Sequence, residues 1–247
     1  MTQIQTDENQ QGFDDFLQNI QKYFSRSDDI ITKKRNIIKR VEYNGKKIVV
    51  KSFKTPNVIN KFAYRFIRAS KAKRSFLNAQ RLIKLDIKTP KPIAYVEFFE
   101  PLLEKSFYVC EYFDFDFEMR DVLADNNFRN REKIFDRFIE FSYDLHQKGV
   151  YHVDYSPGNV LIKQLNDKYV FSIVDVNRMA FMEFNDKLRL KNLSRFSASK
   201  KDTEIFAKKY AKISNIDESF AIEQLFFYHQ KHQKYLRNKK RLKTFKY

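Results

Sequence analysis

The sequence predicts an α+β protein in which a small antiparallel sheet precedes a mainly helical half. The first observation is Asn44-Gly45, a strong β-hairpin signal between two strand-like runs. The second is the helical spacing of apolar residues that begins at Arg131 and continues almost to the end of the chain. The third is a polar loop at residues 151–162, which is followed by a strand, a turn and another strand. These features predict two halves, with the chemically distinctive residues concentrated in one loop.

Composition limits the classes of protein to consider. The chain has 247 residues, of which 43% are hydrophobic and 16% aromatic, so it can bury a full core and is not disordered. Its single cysteine, Cys110, cannot form a disulfide within the chain, which fits a reducing cytoplasm. No apolar run approaches ~20 residues and the N-terminus is polar, so we expect neither a membrane-spanning helix nor a signal peptide. The net charge of +17 indicates an anionic partner: nucleic acid, an anionic membrane surface or a polyanionic substrate.

The N-terminal half combines helices with strands. Apolar residues from Phe13 to Phe24 fall at helical spacing and predict one amphipathic helix. Strands are predicted at residues 30–32, 36–43, 46–53, 93–99 and 106–113. Two more amphipathic helices are expected around Ile59–Ile67 and Phe76–Leu85, with Ile83 on the apolar face of the second. No acid occurs from Asn57 through Leu85, so their basic faces are either a solvated surface or an anion-binding one.

The C-terminal half is mainly helical. An apolar face from Ile134 to Leu145 predicts a helix that begins near Arg131 and ends at Gly149. Weaker helical patterns follow at residues 188–196, 203–213 and 218–242, and Asp217 is placed to cap the last of them. We therefore expect a polar segment with a short helix at residues 1–24, a sheet-rich lobe at 25–113 and a helical lobe at 114–247.

The polar loop carries the residue types of a phosphoryl-transfer site. Such a site needs a carboxylate to orient the attacking hydroxyl and accept its proton, and hard oxygen ligands for Mg²⁺. The pattern His152-x-Asp154-x-x-x-x-Asn159 supplies both from one loop. Asp175, at the end of the strand-turn-strand that follows, is placed to be the main metal ligand. The alternative is a buried loop in which Asp154 and Asn159 only cap turns; the combination with Asp175 favours the catalytic interpretation.

These residues resemble the lipopolysaccharide core kinases, the Kdo and heptose kinases of bacteria, which are a branch of the protein-kinase-like superfamily. The similarity rests on the loop above, on the segment Asp175–Arg178, on the strand Val49-Val50-Lys51 and on Thr89–Ala94, and it spans roughly residues 28–180. The resemblance implies a bilobal protein-kinase-like fold. It also implies ATP-dependent phosphorylation of a sugar hydroxyl in the lipopolysaccharide inner core, at the cytoplasmic face of the inner membrane.

The resemblance also assigns roles to residues. Asp154 would be the catalytic base, with His152 supporting the loop, and Arg178 matches an arginine that those kinases carry. Asn159 and Asp175 would hold Mg²⁺. Three further residues would bind ATP. Lys51 would pair with the phosphates, and backbone groups of the segment that includes Glu111 and Phe113 would contact adenine.

Three departures from the kinase pattern are visible. Protein kinases acting on serine or threonine usually have a lysine two residues after the catalytic aspartate, where this chain has Ser156. Asn177 stands in place of the glycine of the Asp-Phe-Gly motif. The helices after Lys51 contain no glutamate to pair with it, so Ser75 or Asn78 is the expected hydrogen-bond partner.

Two other functions fit parts of the sequence. A non-catalytic nucleic-acid-binding protein on a kinase-like scaffold fits the basic charge and the absence of a glycine-rich loop before Lys51. A small basic protein kinase is the other alternative. If the chain is a glycolipid kinase, the basic C-terminal segment is the expected contact with an anionic membrane, because each Lys or Arg near such a surface contributes about 1 kcal/mol. Nothing in the sequence indicates an oligomeric state.

Overall fold

The computed structural model describes residues 1–33, 36–55, 64, 68–196 and 199–244. The chain divides into two compact units. The first comprises Met1–Asp114 and Ile173–Arg178, and the second comprises Phe115–Ser172 and Met179–Tyr247. Within the described ranges, no helix has the length and apolar character needed to span a membrane.

The first unit is built on a six-stranded antiparallel sheet. The strands are β1 (Thr2–Thr6), β2 (Ile30–Lys33), β3 (Ile37–Tyr43), β4 (Lys46–Phe53), β5 (Pro92–Glu100) and β6 (Leu102–Glu111). Their order across the sheet is β1-β5-β6-β4-β3-β2. The described helices of this unit are α1 (Asp14–Gln18), α2 (Ile20–Arg26) and α3 (Lys71–Lys84). The predicted hairpin is confirmed: Asn44 and Gly45 have φ of 50° and 71°, as the tight turn between β3 and β4 requires.

Strand β1 was not predicted. It pairs antiparallel with β5, in a register that runs from Thr2 opposite Phe98 to Thr6 opposite Ala94. Its side chains are mostly exposed, so its sequence lacks the apolar alternation by which strands are recognised. Backbone hydrogen bonds to the edge of the sheet hold it instead. Residues 1–24 therefore contribute a strand and two helices to the first unit.

The helix predicted at Phe13–Phe24 is two helices, α1 and α2, which meet at Asn19. The Asn19 side chain donates hydrogen bonds to the backbone oxygen and to Oδ1 of Asp15, at 3.1 and 3.0 Å. Such local side-chain bonds compete with the helical backbone pattern. The predicted apolar face is nevertheless the buried one, because Phe16, Leu17 and Ile20 belong to the hydrophobic core of this unit.

Helix α3 confirms the second of the two basic helices predicted after β4. Ser70 caps it, accepting a hydrogen bond from the backbone of Lys73 at 3.1 Å. Phe76, Ala79 and other small or apolar residues line its buried face, whereas Ile83 is 43% exposed and was wrongly placed on that face. The helix predicted at Ile59–Ile67 lies outside the described residues, apart from position 64.

The second unit combines short strands with longer helices. Its strands are β7 (Phe117–Glu118), β8 (Val150–His152), β9 (Val160–Leu165), β10 (Lys168–Ile173) and β11 (Met179–Phe181). The last residue of β10, Ile173, is also the first residue of the segment that belongs to the first unit. Its described helices are α4 (Met119–Ala124), α5 (Arg131–Gln147), α6 (Asp186–Leu193), α7 (Lys200–Ser214) and α8 (Glu218–Thr244). Strands β7, β9 and β10 form one small sheet, and β8 pairs with β11. Single 3-10 turns occur at Pro157–Asn159 and Ser194–Phe196.

Helix α5 presents the predicted apolar face, which is buried. The chain leaves it at Gly149, whose φ is +68° and whose missing Cβ would lie 3.0 Å from the carbonyl oxygen of Met182. Glycine is required here by both backbone and space. At the start of α8, Asp217 accepts a hydrogen bond from the backbone of Phe220 at 2.7 Å, which confirms the predicted cap. The short strand β8 that follows α5 leads directly into the polar loop.

Candidate active site

Two hydrogen bonds between side chains and the backbone help to hold the polar loop of the second unit. The backbone N–H of Asp154 donates to Nδ1 of His152 at 3.1 Å, and the Asn159 side chain donates to the backbone oxygen of Asp154 at 2.9 Å. His152 is buried, whereas Asp154 and Asn159 are partly exposed. Both bonds are made by the backbone of Asp154, so they fix the position from which its carboxylate side chain extends.

A buried polar network links this loop to helices α5, α6 and α7. The Asn192 side chain on α6 donates to the backbone oxygen of His152 at 2.9 Å, and its Oδ1 lies 3.3 Å from Nε2 of His146 on α5. Nδ1 of His146 lies 2.7 Å from the hydroxyl of Tyr210 on α7. Burial lowers the pKa of His146 to about 3 and raises the pKa of Tyr210, so both groups are neutral at ordinary pH. The imidazole then donates to Asn192 and accepts from Tyr210, which satisfies every member of the network.

Aromatic packing fixes the loop at Tyr155, the residue after Asp154. Tyr155 is fully buried, and its ring lies 4.5 Å from Phe196 and 6.2 Å from Phe138, measured between centroids. Its hydroxyl is 2.9 Å from Oγ of Ser142 on α5. Asp154 is therefore flanked on both sides by buried residues, His152 and Tyr155, each tied to a helix.

In the first unit, Lys51 and Asp175 form an ion pair. Nζ of Lys51 donates to Oδ1 of Asp175, and the Asn177 side chain donates to the same oxygen at 2.7 Å. Lys51 is only 7% exposed. Asp175 has a left-handed backbone, with φ of 60°, a conformation in which aspartate and asparagine are enriched among non-glycine residues. Asn177, which replaces the glycine of the kinase motif, thus holds the Asp175 carboxylate by a hydrogen bond.

The segment that carries Asp175 is tied to the rest of the first unit at three points. The Thr89 hydroxyl donates to the backbone oxygen of Ile173 at 2.8 Å, and the backbone of Ile173 donates to Lys88 at 3.0 Å. The Asn78 side chain on α3 donates to the backbone oxygen of Val176 at 2.7 Å. These bonds place Asp175 against Lys51.

The expected partners of Lys51 were wrong. The Ser75 hydroxyl donates to the backbone of Lys71 within α3, and Asn78 binds Val176 as described. The lysine therefore uses Asp175, a residue that sequence reasoning had assigned only to the metal. Sequence reasoning also missed Glu97 of β5, a carboxylate only 4% exposed, whose pKa is raised by burial against the opposing effects of Ser70 and Lys73.

The end of β6 is held by the sheet. The backbone N–H groups of Glu111 and Tyr112 donate to the carbonyls of Lys91 and Lys47, at 2.9 and 3.0 Å. The Glu111 carboxylate accepts a hydrogen bond from Gln10 at 2.8 Å, so the N-terminal segment reaches this position. Phe113 follows, outside the strand. The adenine contacts assigned to Glu111 and Phe113 stay a prediction.

Arg178 is exposed at the end of the Asp175 segment. Burial lowers the pKa of Arg74 on α3, and the positive charges of Arg68 and Arg178 lower it further. Arg178 therefore belongs to a basic group of the first unit, and its catalytic assignment stays a prediction.

The residues assigned to Mg²⁺ have suitable chemistry. Asp175 offers carboxylate oxygens and Asn159 an amide oxygen, the hard ligands that Mg²⁺ takes. Among the described residues, no group of three or more His, Cys, Asp or Glu side chains is arranged to hold a metal. The assignment of these two residues to Mg²⁺ stays a prediction.

The small antiparallel sheet and the mainly helical second unit are those of the protein-kinase-like fold. The fold resembles the solved structure of WaaP in complex with acyl carrier protein, with a TM-score of 0.61 and 16% identity over 93% of this chain and 98% of that one. It also resembles the Rio2 kinase-ADP/Mg²⁺-phosphoaspartate complex from Chaetomium thermophilum, with a TM-score of 0.53 and 15% identity over 90% of this chain and 78% of that one. No curated protein matches by sequence.

The chain belongs to the lipopolysaccharide kinase (Kdo/WaaP) family, whose sequence profile matches residues 30–216. It is accordingly a phosphotransferase with an alcohol group as acceptor and a kinase of the lipopolysaccharide core. The predicted family and the predicted protein-kinase-like fold are both confirmed.

Proposed function

We propose that the protein transfers the γ-phosphate of ATP to a hydroxyl of a Kdo or heptose sugar in the lipopolysaccharide inner core. The observation that carries this proposal is the loop geometry, in which two hydrogen bonds and two buried neighbours fix the backbone of Asp154. Phosphoryl transfer depends mainly on positioning and charge stabilisation, so a carboxylate on a rigid support suits it. A scaffold without catalysis has no need of this arrangement.

The proposed mechanism assigns one role to each residue. Asp154 orients the sugar hydroxyl and accepts its proton as the oxygen attacks the γ-phosphorus in line with the leaving ADP. Lys51, held by Asp175, binds nucleotide phosphates. Asp175 and Asn159 would hold Mg²⁺, which when bound neutralises phosphate charge. His152 keeps the loop in place through its hydrogen bond to Asp154.

We further propose that helix α8 contacts an anionic membrane at the cytoplasmic face of the inner membrane. The sequence from His229 to the end is rich in lysine and arginine and contains no acid. Phe227 and Tyr235 on this helix are more than half exposed, and Lys231 and Lys239 lie over their rings at 5.8 Å. Aromatic rings beside lysines suit the interface between headgroups and acyl chains.

Sedimentation with liposomes tests the membrane contact. Vesicles with anionic lipid should bind the wild type, and truncation after Tyr228 should weaken that binding. A control variant replaces lysines elsewhere, Lys22, Lys105 and Lys168, with glutamine and should bind as the wild type does. Equal binding by the truncated protein would remove α8 from the proposal.

The acyl carrier protein in the WaaP structure suggests a second partner. We propose that this chain also binds an acyl carrier protein, and that copurification from co-expressing cells followed by mass spectrometry of the intact complex detects it. A chain that elutes alone at every ratio of the two proteins would contradict this.

The function itself is tested by transfer of labelled γ-phosphate from Mg-ATP. Wild type and Asp154→Ala are each offered two truncated lipopolysaccharides, one that ends in Kdo and one that also carries heptose. Label in lipid that is lost in Asp154→Ala supports the proposal, and the accepting substrate identifies the sugar. Label on protein would instead indicate a protein kinase. Absence of turnover together with salt-sensitive RNA binding would indicate the nucleic-acid-binding alternative.

A further inference from the structure

The catalytic loop lies against a second segment, residues 192–196, and three contacts join them in succession. Asn192 donates to the backbone oxygen of His152, and the ring of Phe196 packs on Tyr155. Between these two buried anchors stands Arg195, whose guanidinium Nη1 is 3.7 Å from Oδ1 of Asp154. Because residues on both sides are fixed to the loop, the position of Arg195 relative to Asp154 is fixed as well.

Arg195 supplies a positive charge that the loop itself lacks. Residues 150–162 contain no lysine or arginine, and Ser156 is neutral. Arg120 on α4 approaches the loop at Gly158, but its guanidinium pairs with Glu118 at 3.1 Å. Within the described part of the chain, Asp154 is the carboxylate with which Arg195 forms an ion pair.

We propose that Arg195 is a positioning residue for phosphoryl transfer, which holds the Asp154 carboxylate toward the attacking hydroxyl. This inference rests on the proposed function. In the step, the hydroxyl O–H bond breaks and its proton passes to Asp154, while the oxygen–phosphorus bond forms and the bond to ADP breaks. A separation of 3.7 Å exceeds a direct hydrogen bond, so the arginine orients the carboxylate by charge.

Two titratable side chains near Arg195 are neutral at ordinary pH. Burial, together with the charges of Arg195 and His229, lowers the pKa of His232 on α8, so that imidazole is neutral at ordinary pH. Burial raises the pKa of Tyr151, against the opposing effect of Arg195, so the phenol stays protonated. Arginine keeps its charge at every working pH, so Arg195 stays a cation beside the Asp154 carboxylate.

Steady-state kinetics of Arg195→Ala and Arg195→Lys test this role, with Lys191→Ala as the matched control. Lys191 is exposed one turn earlier and its loss changes net charge equally. Arg195→Ala should lower kcat about 10- to 100-fold, as loss of one orienting group does, with KM for ATP within about twofold. Arg195→Lys should retain an intermediate kcat, and Lys191→Ala should match the wild type.

Chemical rescue separates positioning from a purely structural role. Millimolar guanidinium should restore part of the kcat of Arg195→Ala without changing its melting temperature, and should not affect Lys191→Ala. A lysine introduced nearby, in Arg195→Ala with Ser156→Lys, should also recover activity. An unchanged kcat in Arg195→Ala, or a loss that neither guanidinium nor the second lysine relieves, would overturn the inference.

The outcomes distinguish this inference from the proposed function. Labelled lipid formed equally well by wild type and Arg195→Ala would overturn the role of Arg195 and leave the glycolipid kinase intact. If the wild type labels no lipid, its slow transfer of phosphate to water is measured instead. A drop in that hydrolysis in Arg195→Ala supports the inference without the lipid acceptor, and an unchanged rate overturns it. A wild type that neither labels lipid nor hydrolyses ATP overturns both.

Discussion

The two units hold their functional residues in different ways. In the first unit, Lys51 and Asp175 are held by opposite charges, and Asp175 has a left-handed backbone. In the second unit, the loop that carries Asp154 is held by neutral hydrogen bonds through His152 and by packed aromatic rings. Charge pairs respond to bound ions and to salt, whereas neutral buried networks respond to packing and to their own protonation. The comparison predicts that the first unit adjusts to the nucleotide while the second stays rigid.

The largest expected effects come from two substitutions, one in each unit, that should impair different steps of the reaction. Asp154→Ala should lower turnover at least about 1,000-fold while sparing ATP affinity, because it removes the proton acceptor and leaves the first unit intact. Asp175→Ala should instead abolish Mg²⁺-dependent nucleotide binding. Labelled-phosphate transfer and calorimetry with Mg-ATP measure the two steps. A variant Asp154→Ala with near-wild-type turnover would show that the base is misassigned.

Breaking the neutral network of the second unit should cost the most stability. Asn192→Leu leaves Nε2 of His146 without its partner and removes one of the two hydrogen bonds that the backbone oxygen of His152 accepts. It should destabilise the second unit by about 2 kcal/mol, since a buried polar group without a partner costs roughly 1–3 kcal/mol. Denaturant unfolding measures this. Lys191→Ala, one residue earlier and exposed, should change stability little. Equal stability of the two variants would mean that the network does not support the loop.

Breaking the charge pair of the first unit should affect turnover more than folding. Lys51→Met keeps the length of the side chain but removes the charge, and turnover should fall about 30-fold, or about 2 kcal/mol. The Asp175 side chain is 37% exposed and keeps its bond to Asn177, so the melting temperature should change little. A large loss of stability without loss of turnover would contradict the assignment. Lys47→Met on the exposed face of β4 is the control.

The same contrast explains which features the sequence could predict. The hairpin at Asn44-Gly45 and the cap at Asp217 depend on neighbouring residues, and both were predicted correctly. The pairing of Lys51 with Asp175 joins residues that are far apart in the chain, and no local pattern encodes it. Asn192 lies inside an ordinary helical run, so only the fold shows that it reaches His152. Strand β1 was missed because backbone bonds, rather than an apolar pattern, place it.

The smallest effect should appear only in acid. The unfolded chain binds a proton to His146 below its ordinary pKa of 6.5, whereas the folded chain does so only near pH 3, because burial opposes the charged imidazole. Stability is therefore fully present above pH 6.5 and is lost as the pH falls. The loss should be about 1 kcal/mol at pH 6 and about 2 kcal/mol at pH 5, since one pKa unit corresponds to about 1.4 kcal/mol.

Unfolding measured between pH 5 and pH 7.5 tests this, with His146→Gln as the variant that cannot bind the proton. The variant should show a shallower decline in stability over this range, whatever its stability at pH 7.5. Gln230→Ala on α8 changes an exposed, uncharged side chain and should decline as the wild type does. Parallel declines in all three proteins would mean that the His146 imidazole is not kept neutral by burial, and that the support of the Asp154 loop is not the uncharged network inferred from its geometry.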